Sequence, residues 1–347
     1  MICSLSRMKN IQDSLNTSWY QAPPWWMYAL LPLAVLFAGI VKFRRWLYQK
    51  NLKQVITLKV PVIIVGNITV GGTGKTPLVI YLAELLSQQG YHPGIISRGY
   101  GGDNKVCHSV TGQSDPAIVG DEAVLIAKRT GCPVVIGRKR VAAAKQLLAM
   151  RDCDVLISDD GLQHYALARD IEIAVIDAER RFGNGWLLPF GPLRESKQRL
   201  TEVDFIVTNG ENKTGEFANE FNLQLHSEML YQLDKPQQSS SLTDWRDKTV
   251  HAIAGIGHPQ RFFNRLIAAG LQIFPHTFAD HYAYREKDIA FADAFAVIMT
   301  EKDAIKCQQF VNEKLWCLPV DARLSSQFDA ALLQRLEEVK MKKSKRV

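Results

Sequence analysis

The chain has 347 residues, enough to bury a large core as two domains or one large α/β domain. With 47% hydrophobic and 22% charged residues it falls in the ordinary globular range, which excludes a disordered or fibrous protein; only Lys340 to Val347 reads as disordered. The formal net charge of +7 favours anionic partners such as nucleotides or acidic lipid headgroups. Its cations are dispersed, after the N-terminal apolar run (Lys42, Arg44, Arg45, Lys50, Lys53), around Arg138, Lys139 and Arg140, and in the C-terminal tail. They read as solvated surface, and no nucleic-acid tract is expected. The cysteines (Cys3, Cys107, Cys132, Cys153, Cys307, Cys317) form no CxxC pair and no zinc-finger spacing with histidine. That pattern suits a reducing compartment and argues against a disulfide scaffold, with Cys132 and Cys153 read as small core residues.

From Trp25 to Val41 the sequence WWMYALLPLAVLFAGIV carries no charge. Those 17 residues as a helix span roughly 25 Å, slightly less than the roughly 30 Å hydrocarbon core of a bilayer. Pro32 and Gly39 weaken a straight helix. Trp25, Trp26 and Tyr28 at one end, with Lys42, Arg44, Arg45 and Trp46 at the other, fit interfacial anchoring. The positive charge follows the apolar run and no small-residue cleavage site is present, a poor fit to a signal peptide. The favoured reading is a membrane anchor, spanning or interfacial, over a buried core helix. If it spans, the Lys and Arg excess after it places the rest of the chain in the cytoplasm, where ATP is.

From Val60 onward short apolar runs alternate with amphipathic stretches. Strands are expected at Val60–Val65, Gly94–Ser97, Pro133–Ile136, Val155–Ser158, Ile171–Ile176 and Asp204–Thr208, and helices at Pro77–Gln89, Asp121–Arg129 and Lys139–Met150. This alternation implies a mostly parallel, doubly wound sheet. Asn212 to Asp247 is more polar and reads as a connection. A second α/β pattern follows: strands at Val250–Ala254, Ala296–Thr300 and Leu315–Val320, helices at Gln260–Ala269 and Ala330–Val339. The expected organisation is a membrane-associating segment over residues 1–55, a P-loop kinase lobe over 56–240 and a C-terminal α/β lobe over 241–347.

The strongest chemical signal follows the first strand: Thr69, Val70, Gly71, Gly72, Thr73, Gly74, Lys75 and Thr76, leading into a helix. Strand, glycine-rich loop and helix together make a P-loop. Its glycines let backbone N–H groups face the phosphates of ATP, Lys75 supplies a cation, and the Thr76 hydroxyl is placed to ligate Mg²⁺. Pro77 sits in the first helical turn, where its missing N–H costs nothing, and the helix dipole favours the triphosphate. Thr69 stands where a small residue, commonly Gly, is usual.

Val155-Leu156-Ile157-Ser158-Asp159-Asp160 is an apolar strand ending in carboxylates, the arrangement that delivers an acid to Mg²⁺ or its waters beside a P-loop. The plain alternative is an Asp-Asp-Gly turn. Asp121 and Glu122 begin a helical pattern. They read either as a cap or as a carboxylate pair near the γ-phosphate, one acting as general base on an acceptor hydroxyl and the other helping to bind metal. A lone His281, in Asp280-His281-Tyr282, is by itself more often structural, though its pKa range suits proton handling or orienting a carboxylate.

These motifs, in order, resemble the tetraacyldisaccharide 4′-kinase family. The resemblance runs from about Trp25 to about Leu333 and rests on Val65-Gly66-Asn67 before GGTGKTP, Ser97-Arg98-Gly99-Tyr100-Gly101-Gly102, Gly120-Asp121-Glu122 and Ser158-Asp159-Asp160-Gly161-Leu162-Gln163-His164. It continues through Arg181-Phe182-Gly183-Asn184-Gly185, Leu188-Pro189-Phe190-Gly191-Pro192-Leu193-Arg194-Glu195, Ala254-Gly255-Ile256-Gly257-His258-Pro259 and Thr300-Glu301-Lys302-Asp303-Ala304. It implies transfer of the γ-phosphate of ATP to the 4′-hydroxyl of a tetraacylated disaccharide 1-phosphate in lipid A biosynthesis. It further implies two α/β lobes and action at the cytoplasmic face of the bacterial inner membrane, anchored by the N-terminal helix. By the same resemblance Asp121 and His281 activate the hydroxyl, and Mg²⁺ falls to Thr76, Glu122 and Asp159 or Asp160; Lys75 of the loop is the third catalytic candidate. Arg98, Tyr100, Asn184 and Arg194 are implied substrate contacts, since the anionic 1-phosphate calls for cations. No obligate protein partner is inferred. Ala123 replaces a common Pro, Phe190 a usually small residue and Ala279 a frequent Pro.

Two other P-loop classes compete. A partitioning-type ATPase carries an additional Lys near the loop start, where Thr69 and Val70 stand here. A GTP switch needs Asn/Thr-Lys-x-Asp, and in Thr300-Glu301-Lys302-Asp303 the Lys directly precedes the Asp.

Overall fold

The computed structural model describes residues 18–99, 106–211 and 215–345. Its strands, in chain order, are β1 (Val62–Gly66), β2 (Pro93–Ser97), β3 (His108–Val110), β4 (Val134–Ile136), β5 (Val155–Ser158), β6 (Ile171–Asp177), β7 (Phe205–Asn209) and β8 (Glu220–His226). There follow β9 (Met229–Gln232), β10 (Ser239–Ser241), β11 (Thr249–Ala254), β12 (Gln272–Thr277), β13 (Ala296–Thr300), β14 (Leu315–Leu318) and β15 (Asp321–Arg323). Among the described residues they make mostly parallel, mixed sheets. The α/β class read from the alternation is therefore correct.

The chain divides into two compact units that interleave in sequence: Met1–Gly74 with Asp160–Leu223 and Ser325–Val347, and Lys75–Asp159 with Gln224–Leu324. In the first unit the strands run β8-β7-β6-β1, all neighbours parallel. β1, β6 and β7 are buried along their whole length, as continuous apolar runs in a two-sided parallel sheet should be. The C-terminal helix Ser326–Ser344 seats a fully buried Phe328 against Phe205 and Phe221, with ring centroids 5.6 and 5.3 Å away. That helix runs through most of the segment expected to be disordered. Lys343 explains the difference, since its ammonium donates to the Leu58 carbonyl at 2.9 Å and pairs with Asp170 at 2.9 Å.

The same unit carries the N-terminal apolar segment, a 3-10 turn at Trp25–Leu30 running into a helix at Leu31–Gln49. Pro32 falls in the first helical turn, where it does no harm. Only Met27 and Ala34 are buried along the segment, while Val35, Leu36 and Phe43 are each at least 60% exposed. A core helix would hide these side chains, so the buried-core reading is excluded within this chain. At its base, Met27 and Ala34 join Trp19 and Phe190 in a small apolar cluster, with Val70 of the phosphate loop packed against it. Phe190 lies 5.5 Å from both the Tyr28 and the Trp186 rings.

In the second unit β5-β2-β4 are parallel and β3 is antiparallel to β4, at the end of that run. The six-stranded sheet has the order β10-β9-β14-β13-β11-β12, parallel from β14 to β12. The polar stretch expected to be a connection instead holds β8, β9 and β10. These strands are half solvated, with few fully buried positions, and β10 is Ser239-Ser240-Ser241. β8 alternates polar and apolar residues, as a half-solvated strand should, whereas β10 is created by its pairing with β9.

Phe328→Ala should cost about 3–5 kcal/mol by leaving a cavity between two aromatic rings. Urea denaturation of the first unit's transition, followed by near-UV circular dichroism, checks this; an unshifted midpoint would show that the helix does not lock onto the sheet.

Candidate functional site

The phosphate loop leaves the carboxyl end of β1, where ligands of parallel sheets bind. Gly71 and Gly74 have φ of 98° and 94°, a region open to glycine and strained for other residues. At Gly74 space also decides. A Cβ there would lie 2.6 Å from Asn209 Nδ2, the group that donates to the Thr73 carbonyl at 3.1 Å. Asn209 thus pins the turn from the end of β7. Thr69 bridges to Leu193, and Val70 N–H donates to the Pro192 carbonyl at 2.9 Å. Lys75 opens the helix Lys75–Gln88, half-buried, with Thr76 buried beside it.

In the second unit Asp121 and Glu122 form the first turn of the helix Asp121–Thr130, after Gly120 at φ 88°. Asp121 is 3% exposed. Its Oδ1 accepts from Glu122 N–H at 2.8 Å, and His281 Nδ1 lies 3.0 and 3.1 Å from its two oxygens. The two residues that sequence could connect only through a family resemblance are therefore in direct contact, 160 positions apart. His281 has φ 58°, uncommon for a residue with a side chain, in a loop leaving the end of β12. Burial opposes the charged form of Asp121, but the hydrogen bond from His281 and the charges of Lys302, His281 and Lys306 outweigh it, so its pKa falls below the usual value. The same hydrogen bond raises the pKa of His281 against the effect of burial. Both shifts favour the carboxylate–imidazolium form.

The short helix Glu301–Lys306, capped by the Thr300 side chain, faces this pair. Lys302 forms an ion pair with Glu122. Its charge is the chief reason that the Glu122 pKa is lowered, with a smaller contribution from Lys75. Glu301 pairs with Arg129 at 2.7 Å. Asp303 is fully buried and takes donors from Gly255 N–H, Tyr284 and Thr300, thereby fixing the loop that carries His281. Sequence reasoning missed Lys302 and Lys306. The signal was their spacing of one helical turn, with Lys306 two residues beyond the motif Thr300–Ala304, which puts both on one face.

Asp159 directly follows β5, 2% exposed, and its Oδ2 accepts the Ser97 hydroxyl at 3.0 Å. Arg140, read as surface, is instead buried and donates to the carbonyls of Gly137 and Asp159, both at 3.0 Å. In the first unit Asp160, at φ 48°, accepts both oxygens' bonds from Arg194 at 3.2 Å. Asn184 spends its amide on its own loop, donating to the Phe190 carbonyl and accepting from Trp186 N–H. Arg98 is exposed at the end of β2, and Tyr100 lies outside the described residues. No cluster of three or more His, Cys, Asp or Glu fit to hold a metal occurs among the described residues. Mg²⁺ in a nucleotide site needs only one or two protein oxygens, with phosphates and water completing its shell, so a buried hydroxyl at Thr76 and a carboxylate at Asp159 suit it. Glu122 and Asp160 are each already held by a cation. Among the described residues the cysteines are free thiols, Cys153 buried and Cys132 half-buried.

A glycine loop at a strand end, a helix starting on Lys-Thr and an aspartate at the end of β5 define a P-loop phosphotransferase. The family model for tetraacyldisaccharide-1-P 4′-kinase matches residues 26–337. The tetraacyldisaccharide 4′-kinase of Nitrosococcus oceani is 51% identical over 338 residues, covering 97% of this chain and 98% of the relative. That of Shewanella oneidensis is 49% identical, covering 95% and 97%. A crystal structure described as the "apo" form of this kinase from Aquifex aeolicus in complex with ATP superposes with a TM-score of 0.76, at 29% identity, covering 89% of this chain and 99% of that one. The chain belongs to the tetraacyldisaccharide-1-P 4′-kinase family, and its activity is that of a tetraacyldisaccharide 4′-kinase in lipid A biosynthesis.

Asp121→Asn removes the carboxylate whose hydrogen bond and charge raise the pKa of His281. The imidazole should then titrate at lower pH than in the parent, as followed by NMR of the His281 ring; an unchanged titration would place the cause of the shift elsewhere.

Proposed function

We propose that the Asp121–His281 pair activates the 4′-hydroxyl while the loop Thr69–Thr76 holds the phosphates of ATP. The hydrogen-bonded contact between those two side chains carries the reading. The acceptor oxygen attacks the γ-phosphorus, the bond to the β-phosphate oxygen breaks, ADP leaves, and the hydroxyl proton passes to Asp121. In a loose transition state that proton departs late, so a carboxylate of lowered pKa suffices provided it is aligned. His281 holds the alignment and keeps the carboxylate ionised. Lys75 neutralises charge on the transferring group, and the helix behind it presents its N-terminus to the phosphates. Thr76 and Asp159 would hold Mg²⁺, which when bound would neutralise phosphate charge; Glu122 or Asp160 would first have to release its lysine or arginine. Arg98 and Arg194 suit the substrate's 1-phosphate, and Tyr100 and Asn184 remain candidate contacts.

The exposed helix Trp25–Gln49 has the length and apolarity to enter a bilayer. Its aromatic start and basic end fit anchoring at the cytoplasmic face of the bacterial inner membrane, where an acylated acceptor resides. Phe190, Tyr28 and Trp186 gather beside its base, next to Val70 of the phosphate loop. This arrangement suits an acceptor whose acyl chains stay in the membrane while its sugar approaches the phosphates.

Lys75→Ala should abolish transfer with the fold intact; near-parental turnover would remove the loop from the reaction. Asp121→Ala should lower kcat about 10²–10⁴-fold, with ATP affinity little changed. A loss confined to ATP binding would make Asp121 a nucleotide residue. Removing residues 1–41 should release the enzyme from sedimented membranes while nucleotide binding persists; an intact chain found wholly in the supernatant would refute the anchor.

A further inference from the structure

We propose that Lys306 is a positioning residue for phosphoryl transfer, its buried ammonium fixing the orientation of the Asp121 carboxylate; this rests on the reading of Asp121 as the base. Lys306 is 8% exposed. Its Nζ lies 3.0 Å from Asp303 Oδ1, 3.8 Å from Asp121 Oδ2 and 5.1 Å above the Tyr284 ring. A buried ammonium is costly unless charge compensates it, so its place needs a reason.

Asp303, the nearer carboxylate at 3.0 Å, supplies only part of that reason, since it has room for one of the ammonium's three donors. Its carboxylate already accepts the Gly255 N–H at 3.0 Å, the Tyr284 hydroxyl at 3.0 Å and the Thr300 hydroxyl at 2.7 Å, close to the four bonds a carboxylate can take. Asp121 is different. The Glu122 N–H reaches only Oδ1, and His281 Nδ1 straddles both oxygens. Those two donors leave the Oδ2 side held by His281 alone, and His281 sits on a loop. Lys306 stands on that side, on a helix whose first turn is locked by the Thr300 cap and by Glu301 to Arg129. Lys302, one turn earlier on the same face, takes Glu122. One short helix therefore grips both carboxylates of the Asp121–Glu122 pair with separate lysines, and the grip on Asp121 is the buried one.

The test is steady-state kinetics on the full-length enzyme with ATP and tetraacyldisaccharide 1-phosphate, using Lys306→Met, which keeps the shape and drops the charge. Kcat should fall about 10–100-fold with KM for both substrates within about threefold, the size expected for a misplaced base. In an Asp121→Ala background the same change should cost less than about twofold, because the group it positions is gone. An undiminished kcat in Lys306→Met, or an equal loss in the Asp121→Ala background, overturns the proposal. If Asp121→Ala itself turns over like the parent, the base assignment has failed and this one with it; a crippled Asp121→Ala beside a parental Lys306→Met sinks the present proposal alone. Should Lys306→Met not fold, Lys306→Arg and Lys306→Gln replace it. With equal melting temperatures, Lys306→Arg should turn over at least about tenfold faster; equal rates would overturn the role of the charge.

Discussion

A carboxylate buried to the extent of Asp121 is the constraint around which the second unit is organised. Left alone it would protonate or destabilise the fold, because burial penalises its charge. His281 and the two lysines reverse that balance, and each needs a support of its own. His281 needs a backbone conformation that a side chain rarely adopts. The loop that enforces it is tied through Tyr284 and Gly255 to Asp303, and Gly255 has no room for a Cβ, which would meet Tyr284 Oη at 2.8 Å and Asp303 Oδ1 at 3.0 Å. A single ionised side chain thus accounts for a loop, a helix cap and a glycine.

The first unit solves a different problem, that of holding a flexible glycine loop still. The loop is fastened at three places by three kinds of force. Asn209 holds the Thr73 carbonyl by a hydrogen bond, Val70 N–H joins the Pro192 backbone, and the Val70 side chain rests in the apolar cluster at the base of the N-terminal helix. The last contact joins the nucleotide loop to the segment read as the membrane anchor through packed side chains, with no intervening linker. Asn184 and Trp19 complete that joint, since Asn184 N–H donates to the Trp19 carbonyl and the Trp19 indole to the Pro189 carbonyl.

The class of fold was legible because parallel strands buried on both faces must be apolar throughout, and β5 and β13 were read to the residue for that reason. Strand β10, three serines, was not legible, since only its pairing with β9 makes it a strand, and the alternation of β8 was lost in its polar surroundings. The phosphate loop could be read because its chemistry is local: glycines, lysine and hydroxyl within eight positions. The Asp121–His281 contact and the buried state of Arg140 are tertiary facts. Arg140 sits in a basic triplet that composition assigns to solvent, and only the carbonyls of Gly137 and Asp159 explain why it turns inward.

The five charged positions from Asp121 to Lys306 also separate two jobs that the sequence had merged. Asp121 and Glu122 are adjacent in the chain, and adjacency alone invites a base paired with a metal ligand. Successive residues in a helix point about 100° apart, so they need not share a task. Asp121 turns inward to His281 and Lys306, while Glu122 stays half-exposed on Lys302, within electrostatic reach of Lys75. On this geometry the Glu122 carboxylate is committed to Lys302. The strand end delivers a separate carboxylate at Asp159, whose carbonyl Arg140 grips and whose side chain Ser97 holds.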